Sequence, residues 1–475
     1  MSELFKGIQN LRTTYGAKPE MIKYKSSGDP VLDLYFKVGG ARGRFNIIKD
    51  NLLFAFLVDP VLTLRLLLWL RDAREGAGER ELFRQSILEL AKYEEFYRHS
   101  FHERVLSMVA VLGRWDDLVF LAEASPKLRN AAIALLYHAL FLKGDKLAAK
   151  WMPRKGMIFN ILANHPEKKL GLRNFRKHLV RLTEVVETKM CANQWKNINY
   201  SHVPSLAAAR YQRAFARHDP IGYATYREGL KKGTEKINAG AVYPYDVVKS
   251  LFAGGDPAVA QAQWEALPDY MEGTEHKGIL PIIDTSGSMF TARIPRSNLC
   301  AADVAVSLGL YLAEKNKGIF KDGWLTFSTK PSLQYARGTL VEKIKGLDRT
   351  NWANSTDLMA AFSLILNTAI RGGLPKEEMP QTILIISDMA FNGHVRITGD
   401  AMAQIRDAYK RAGYPVPKVV FWNVYYSGNV PATENEFGVV LVSGFSPAVM
   451  KGVLANSNSP REAMLKVILS DRYLF

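Results

Sequence analysis

One carboxylate and two hydroxyls stand at alternate positions in Asp284-Thr285-Ser286-Gly287-Ser288-Met289, directly behind the apolar run at 278–283. A tight turn beyond a buried strand aims such a set at one point. Hard oxygen donors of low total charge suit Mg²⁺ or another hard divalent cation, which keeps several waters and takes one or two carboxylates. The same residues also describe an ordinary turn whose serines cap a helix. As nucleophiles, Ser286 and Ser288 would need an activating base, and no histidine lies near them in the sequence.

A second chemistry is carried by cations. Lys150, Arg154 and Lys155 flank Trp151 and Pro153, and Lys168 and Lys169 follow. Arg173, Arg176 and Lys177 surround Phe175, while Arg210, Arg213 and Arg217 surround Tyr211. Cations interleaved with rings suit RNA, with phosphates on the cations and bases on the rings. At helical spacing, Arg173, Arg176 and Lys177 equally describe one solvated face, and Trp151, Phe175 and Tyr211 equally describe core residues. The charge balance is uneven along the chain. Of a net +17, residues 143–240 carry +13 (20 Lys and Arg against 7 Asp and Glu), residues 1–142 carry +3, 241–275 carry −5 and 276–475 carry +6. An excess concentrated in a fifth of the chain is the footprint expected of a phosphate-backbone binder.

Composition removes several classes of function. With 48% hydrophobic and 23% charged residues in 475, the chain has the apolar surface for two or three folded domains. Two cysteines, Cys191 and Cys300, exclude a disulfide framework and any cysteine-built zinc or iron–sulfur site. There is no Gly-x-x-x-x-Gly-Lys-Ser/Thr phosphate loop and no His-Glu-x-x-His pair. His165, His178, His202 and His218 form no spaced metal set and read as core or surface residues. Arg71, Asp72, Arg74 and Arg80 read as helix-surface salt bridges or caps. No apolar signal core follows the first residues, and no charge-free run reaches the roughly 20 residues of a membrane span. A cytoplasmic protein without a membrane partner is expected.

Two regions must position these residues. Residues 1–275 read as short amphipathic helices with tight joints: 45–70 broken at Asp59-Pro60, then 79–97, 104–112, 115–124 and 128–142. That rhythm predicts a stacked helical array of degenerate repeats. Residues 276–475 change period. Apolar runs at 278–283, 324–327, 382–386, 418–426 and 438–442 alternate with helical stretches at 300–315, 358–370, 399–412 and 461–469. Buried strands alternating with helices predict a doubly wound, mostly parallel α/β sheet whose ligands sit at the strands' carboxyl ends. The polar stretch 271–276 marks the boundary.

The Asp-x-Ser-x-Ser spacing resembles the metal-ion-dependent adhesion site of the von Willebrand factor type A domain. That resemblance implies two further ligands. Thr356, opening a helix, and Asp388, ending the run 382–386, occur in the right order for them. The implied metal set is Asp284, Ser286, Ser288, Thr356 and Asp388. Met389 stands where many members of that family have glycine. Upstream, 70–80 (Leu-Arg-Asp through Glu-Arg), 113–118 (Gly-Arg-Trp-Asp-Asp-Leu) and 150–154 (Lys-Trp-Met-Pro-Arg) resemble signposts of TROVE-type helical modules. A helical module followed by a type A domain is similar to the Ro autoantigen family. Through Val203-Pro204-Ser205, Arg217-His218-Asp219 and 236–239 the chain looks closer still to an uncharacterised family of the same two-part organisation.

In the Ro family, HEAT-like helical repeats form a ring that the type A domain closes, binding small non-coding RNA outside and single-stranded ends within. The resemblance therefore implies a non-enzymatic, RNA-binding protein with a divalent-cation site. Its RNA-binding residues are expected among Lys150, Arg154, Lys155, Lys168, Lys169, Arg173, Arg176, Lys177, Arg210, Arg213 and Arg217. The alternative is an interaction scaffold whose cation grips an acidic protein partner's carboxylate. A two-metal nuclease fits poorly, because the donor set is mostly hydroxyls around one cation.

Overall fold

The computed structural model describes residues 26–475 except 184, 240–241, 273–277, 296, 348–355, 391–400, 427, 429 and 455–456. These residues form two compact units. One contains residues 26–63, Tyr243–Phe252 and Leu267–Arg472; the other contains Leu64–Val242, Ala253–Ala266 and Tyr473–Phe475. The chain thus exchanges between units more than once, while the sequence reading sets one division near residue 275.

The first unit holds a six-stranded mixed sheet: β1 (Ile279–Asp284), β2 (Gly323–Phe327), β3 (Leu333–Tyr335), β4 (Thr382–Ser387), β5 (Lys418–Asn423) and β6 (Val439–Ser443). Spatial order is β3-β2-β1-β4-β5-β6, parallel except for the antiparallel β2–β3 pair at one edge. The five apolar runs read from the sequence are the five parallel strands. β3 was not anticipated, being three residues long and partly exposed, with no apolar run to announce it. On one face, Leu280, Ile282, Phe327, Ile383, Ile385 and Phe421 pack under the helices Leu358–Gly372 and Ala401–Arg411. The helix Ala301–Lys315 packs against β1.

The chain order reverses at β1, between β2 and β4. The crevice outside the carboxyl ends of β1 and β4 is therefore the place where this topology puts ligands.

Residues 26–63 join this unit because the helix Pro30–Val38 is apolar nearly all round, and such a helix must be buried on several sides. It packs against β6. Ser443 Oγ donates to Tyr35 O (2.7 Å) and accepts from Gly39 N (3.1 Å), and Asn423 Nδ2 donates to Phe36 O (3.1 Å). Gly39 is required here, since a Cβ would lie 2.2 Å from Gly444 N.

The second unit is helical. Its helices include Arg80–Leu90, Phe101–Leu112, Trp115–Ala124, Pro126–Tyr137, Lys146–Trp151, Met157–Ala163, Gly171–Leu182, Ser205–His218 and Pro220–Lys232. The helix Pro60–Arg71 begins where Asp59-Pro60 breaks the preceding one, and Asp59 Oδ1 accepts from Leu62 N (2.8 Å). Arg71 and Asp72 are not on the surface as expected, being 3% and 0% exposed. Arg71 pairs with Asp117 at 2.7 Å, and Tyr473 Oη donates to Asp72 at 3.1 Å. Gly113 permits the first contact, because a Cβ there would sit 2.6 Å from the Arg71 guanidinium. An unpaired buried charge is too costly to keep, so these two residues are tied into the core rather than solvated.

Candidate cation site and basic face

β1 and β4 pair in parallel with Ile283 opposite Ile386, so their carboxyl ends finish side by side. Asp284 ends β1 fully buried; Ser387 ends β4 at 0% exposure and Asp388 follows it at 2%. Beyond Asp284 the chain turns at once. Ser286 N donates to Asp284 Oδ1 (2.9 Å), and Ser286 stands at the N-cap position of the short helix Gly287–Thr291 without a side-chain capping bond. Ser286 Oγ lies 2.9 Å from Ser288 Oγ. Ser288 also holds the Asp388 carboxyl down against its burial. Ser387 Oγ donates to Asp284 Oδ2 (2.5 Å). Asp284, Ser286, Ser288 and Asp388 are therefore one connected polar cluster.

Thr356 is buried, at 4% exposure, just ahead of the helix Leu358–Gly372. Asp357 caps that helix by accepting from Ala360 N (2.9 Å). The helix leads back toward the start of β4, so its first turn lies on the carboxyl side of the sheet. The residues immediately before Thr356 lie outside those described.

Electrostatics at the cluster favour a cation. Burial, then the neighbouring Asp388 carboxylate, push Asp284 up to about 7, against the hydrogen bonds from Ser387 and Ser286. Burial also raises Asp388, opposed by its bonds from Ala390 N and Ser288. Two buried carboxylates that resist ionisation together are what a bound cation relieves. Thr285 Oγ1, buried beside them, has no hydrogen-bond partner among the described residues. No group of three or more His, Cys, Asp or Glu suited to a metal occurs among the described residues. The present cluster has two carboxylates with hydroxyls, the low-charge oxygen set that suits Mg²⁺.

Met389 adopts φ +60°, the left-handed region, and is fully buried in the sheet's apolar core. Its N–H donates to Ser387 Oγ (2.9 Å). The turn after Asp388 thus has the conformation that glycine takes freely, reached here by a residue anchored through its side chain.

The basic residues fall into two groups. Lys155, Lys168, Lys169, Arg173, Arg176, Lys177, Arg210, Arg213 and Arg217 are exposed. Among the described residues, none of these nine has an acidic partner. Lys150 is engaged, 3.7 Å from Glu187. Arg154 is a clamp: its Nη1 donates to Ala149 O (2.9 Å) and Met152 O (2.5 Å), and burial lowers its pKa.

The interleaved rings are mostly structural. Phe175 is fully buried against Phe159 and Phe141. Trp151 carries the Arg114 guanidinium 3.9 Å from its ring centre. His165 stacks on Tyr137, and His218 on Trp195. On the helix Gly171–Leu182, Asn174, Arg176, Lys177 and Arg181 line an open groove of about 630 Å³ with Leu170 and Val180. Arg181 was missed in the sequence, although it continues the helical spacing of Arg173 and Lys177. Ser387 was also missed, although it sits at the strand end beside Asp388.

Residues 279–470 match a sequence family described as a domain of unknown function, DUF7788. Residues 19–94 and 165–276 match a second, DUF2828. A relative from Acanthamoeba polyphaga mimivirus, the uncharacterized protein L728, is 27% identical over 505 residues, covering 94% of this chain and 85% of its own.

Proposed function

We propose that this chain is a non-enzymatic RNA-binding protein whose helical unit holds RNA through phosphates, and whose α/β unit is a von Willebrand type A-like module with a Mg²⁺ site. One observation carries the first part. The helix Gly171–Leu182 presents Arg173, Arg176 and Lys177 to solvent without acidic partners, beside a groove whose polar lining is cationic or amide. A charged helix face that serves only solubility usually mixes signs, so an all-positive face matches a polyanion. Because Phe175 is buried and Trp151 is occupied by Arg114, base stacking contributes little. Recognition is then largely independent of sequence.

The second part rests on the cluster at the ends of β1 and β4. Asp284, Ser286, Ser288 and Asp388 would hold the cation, with Thr356 completing the set the resemblance implies. The cation would supply charge balance for the two carboxylates.

The test compares the wild-type chain and two variants binding a single-stranded RNA oligonucleotide. Changing Arg173, Arg176 and Lys177 together to Gln weakens binding across RNA sequences. Asp284→Ala leaves RNA affinity intact and removes any Mg²⁺-dependent rise in Tm. The second reading, an interaction scaffold, is favoured by Phe290, 39% exposed next to the cation cluster. It predicts the opposite result: RNA binding is absent at low salt, and capture of an acidic protein partner is lost in Asp284→Ala.

A further inference from the structure

A second cationic cluster lies in the helical unit, outside the basic segment 143–240. Asp116 and Asp117 open the helix Trp115–Ala124. Asp116 Oδ2 has Arg114 Nη2 at 2.6 Å, Arg84 Nη2 at 3.1 Å and Arg80 Nη1 at 3.6 Å. Asp116 Oδ1 accepts from Arg114 Nε (2.9 Å). Asp117 takes Arg84 Nε on Oδ1 and Arg71 Nε on Oδ2, both at 2.7 Å.

Four guanidiniums thus share two carboxylates, and no third carboxylate pairs with any of the four among the described residues. The cluster is graded in depth. The Arg71 and Arg84 side chains are 4% and 11% exposed, whereas Arg114 and Arg80 are 34% and 45% exposed. Within this set of four guanidiniums and two carboxylates, two positive charges are left unbalanced, and the set opens toward solvent at Arg80 and Arg114.

Two features mark this as a site rather than a salt-bridge network. The guanidiniums are held in place before any ligand arrives: Arg114 lies over Trp151 at 3.9 Å and Arg84 over Phe120 at 4.7 Å. Also, Arg84 Nη2 is buried and meets Asp116 Oδ2 only as an ion pair at 3.1 Å, on an oxygen it shares with Arg114 and Arg80. Arg80 has only the long contact to an oxygen already taken by Arg114. Each guanidinium carries several N–H donors in a rigid fork that matches a tetrahedral oxyanion.

We propose that Arg80, Arg84 and Arg114 form a binding site for a phosphate group. The charge surplus matches a phosphate monoester dianion; Arg80 and the outward N–H groups of Arg114, whose Nε–Nη2 edge is held by Asp116 and whose plane is held over Trp151, would meet it first, with Arg84 adding charge from below. Arg71 stays with Asp117 as the buried base of the cluster. The phosphate comes from the end of an RNA chain or from a free phosphate compound. The site is independent of the Gly171–Leu182 face.

The experiment uses the full chain and inorganic phosphate as the probe, with chloride at matched ionic strength as the reference. At about 10 mM, phosphate raises the wild-type Tm by a few degrees beyond chloride, as expected for a ligand that binds only the folded state. Arg80→Gln loses most of that rise while melting in chloride near the wild-type temperature, and Arg114→Gln loses it as well. Should Arg114→Gln fail to fold because Trp151 loses its cover, the half-exposed Arg80→Gln carries the comparison.

A wild-type protein indifferent to phosphate, or an undiminished rise in Arg80→Gln, overturns the site. Oligonucleotides with a 5′-phosphate or a 5′-hydroxyl then separate the sources. A roughly tenfold preference for the phosphate, lost in Arg80→Gln, assigns an RNA end; equal binding with the phosphate-induced rise intact assigns a free phosphate compound. A wild-type chain that binds RNA but shows no phosphate response overturns this site alone, and one that shows the response but binds no RNA overturns only the RNA reading.

Discussion

Ser387 Oγ donates a 2.5 Å hydrogen bond to Asp284 Oδ2, tying together the carboxyl ends of two strands that the sequence separates by 103 residues. The same oxygen accepts from Met389 N, so one hydroxyl shapes the turn at Asp388 and holds the Asp284 carboxylate in place. Ser387→Ala removes both contacts. Losing a donor to a buried carboxylate costs about 1–3 kcal/mol. The variant is expected to melt several degrees below wild type at pH 8, where Asp284 is ionised, and by a smaller margin at pH 5. Thermal melts at the two pH values read this directly.

The pH dependence of the metal-free protein follows from Asp284, held at about 7 by burial and by Asp388. An unfolded Asp titrates near ~4. A folded value above the unfolded one means a stability contribution fully present below about pH 4 and lost as pH rises through about 7. Urea unfolding without divalent ions should therefore show falling stability from pH 5 to pH 8. Adding Mg²⁺ should restore stability at pH 8 and do little at pH 5, where protons occupy the site. A metal-free stability that rises over this range contradicts the account.

Met389 sets two effects against each other. Its left-handed backbone costs roughly 1–2 kcal/mol for a residue with a Cβ. Its fully buried side chain contributes more: removing a large apolar group from a packed core costs about 2–5 kcal/mol. Met389→Gly is therefore expected to destabilise by about 1–3 kcal/mol in denaturant melts, despite relieving the backbone. A more stable glycine variant would show that the side chain is not the anchor.

The sheet was legible in the sequence because its five parallel strands are buried on both faces and so read as continuous apolar runs ending in Asp284, Phe327, Ser387, Asn423 and Ser443. β3 was not, since a three-residue exposed edge strand needs no apolar pattern. Residues 30–38 were read as part of the helical array because a buried helix looks the same whatever it packs against. Their place beside β6 depends on Ser443 and Asn423, some 400 positions away.

In the polar cluster at the ends of β1 and β4, Asp284, Ser286 and Ser288 were legible through local spacing, which a turn after a strand fixes. Ser387 was invisible because its partner is set by β1–β4 register, not by spacing. The Arg80–Arg84–Arg114 surplus was hidden for the opposite reason. Each arginine sits in an ordinary amphipathic helix or joint, and only packing collects them on Asp116.

The central claim is that an acid-free basic face on the helical unit binds RNA through phosphates. The most direct measurement is the equilibrium affinity of the full chain for a single-stranded RNA across a range of salt concentrations. Each phosphate neutralised contributes about −0.7 to the slope of log affinity against log salt. With Arg173, Arg176, Lys177 and neighbours engaged, the account predicts a slope of about −3 or steeper, and a slope shallower by about 2 when those three become Gln. Binding that is absent at low salt, or whose slope is unchanged in the triple variant, would contradict it.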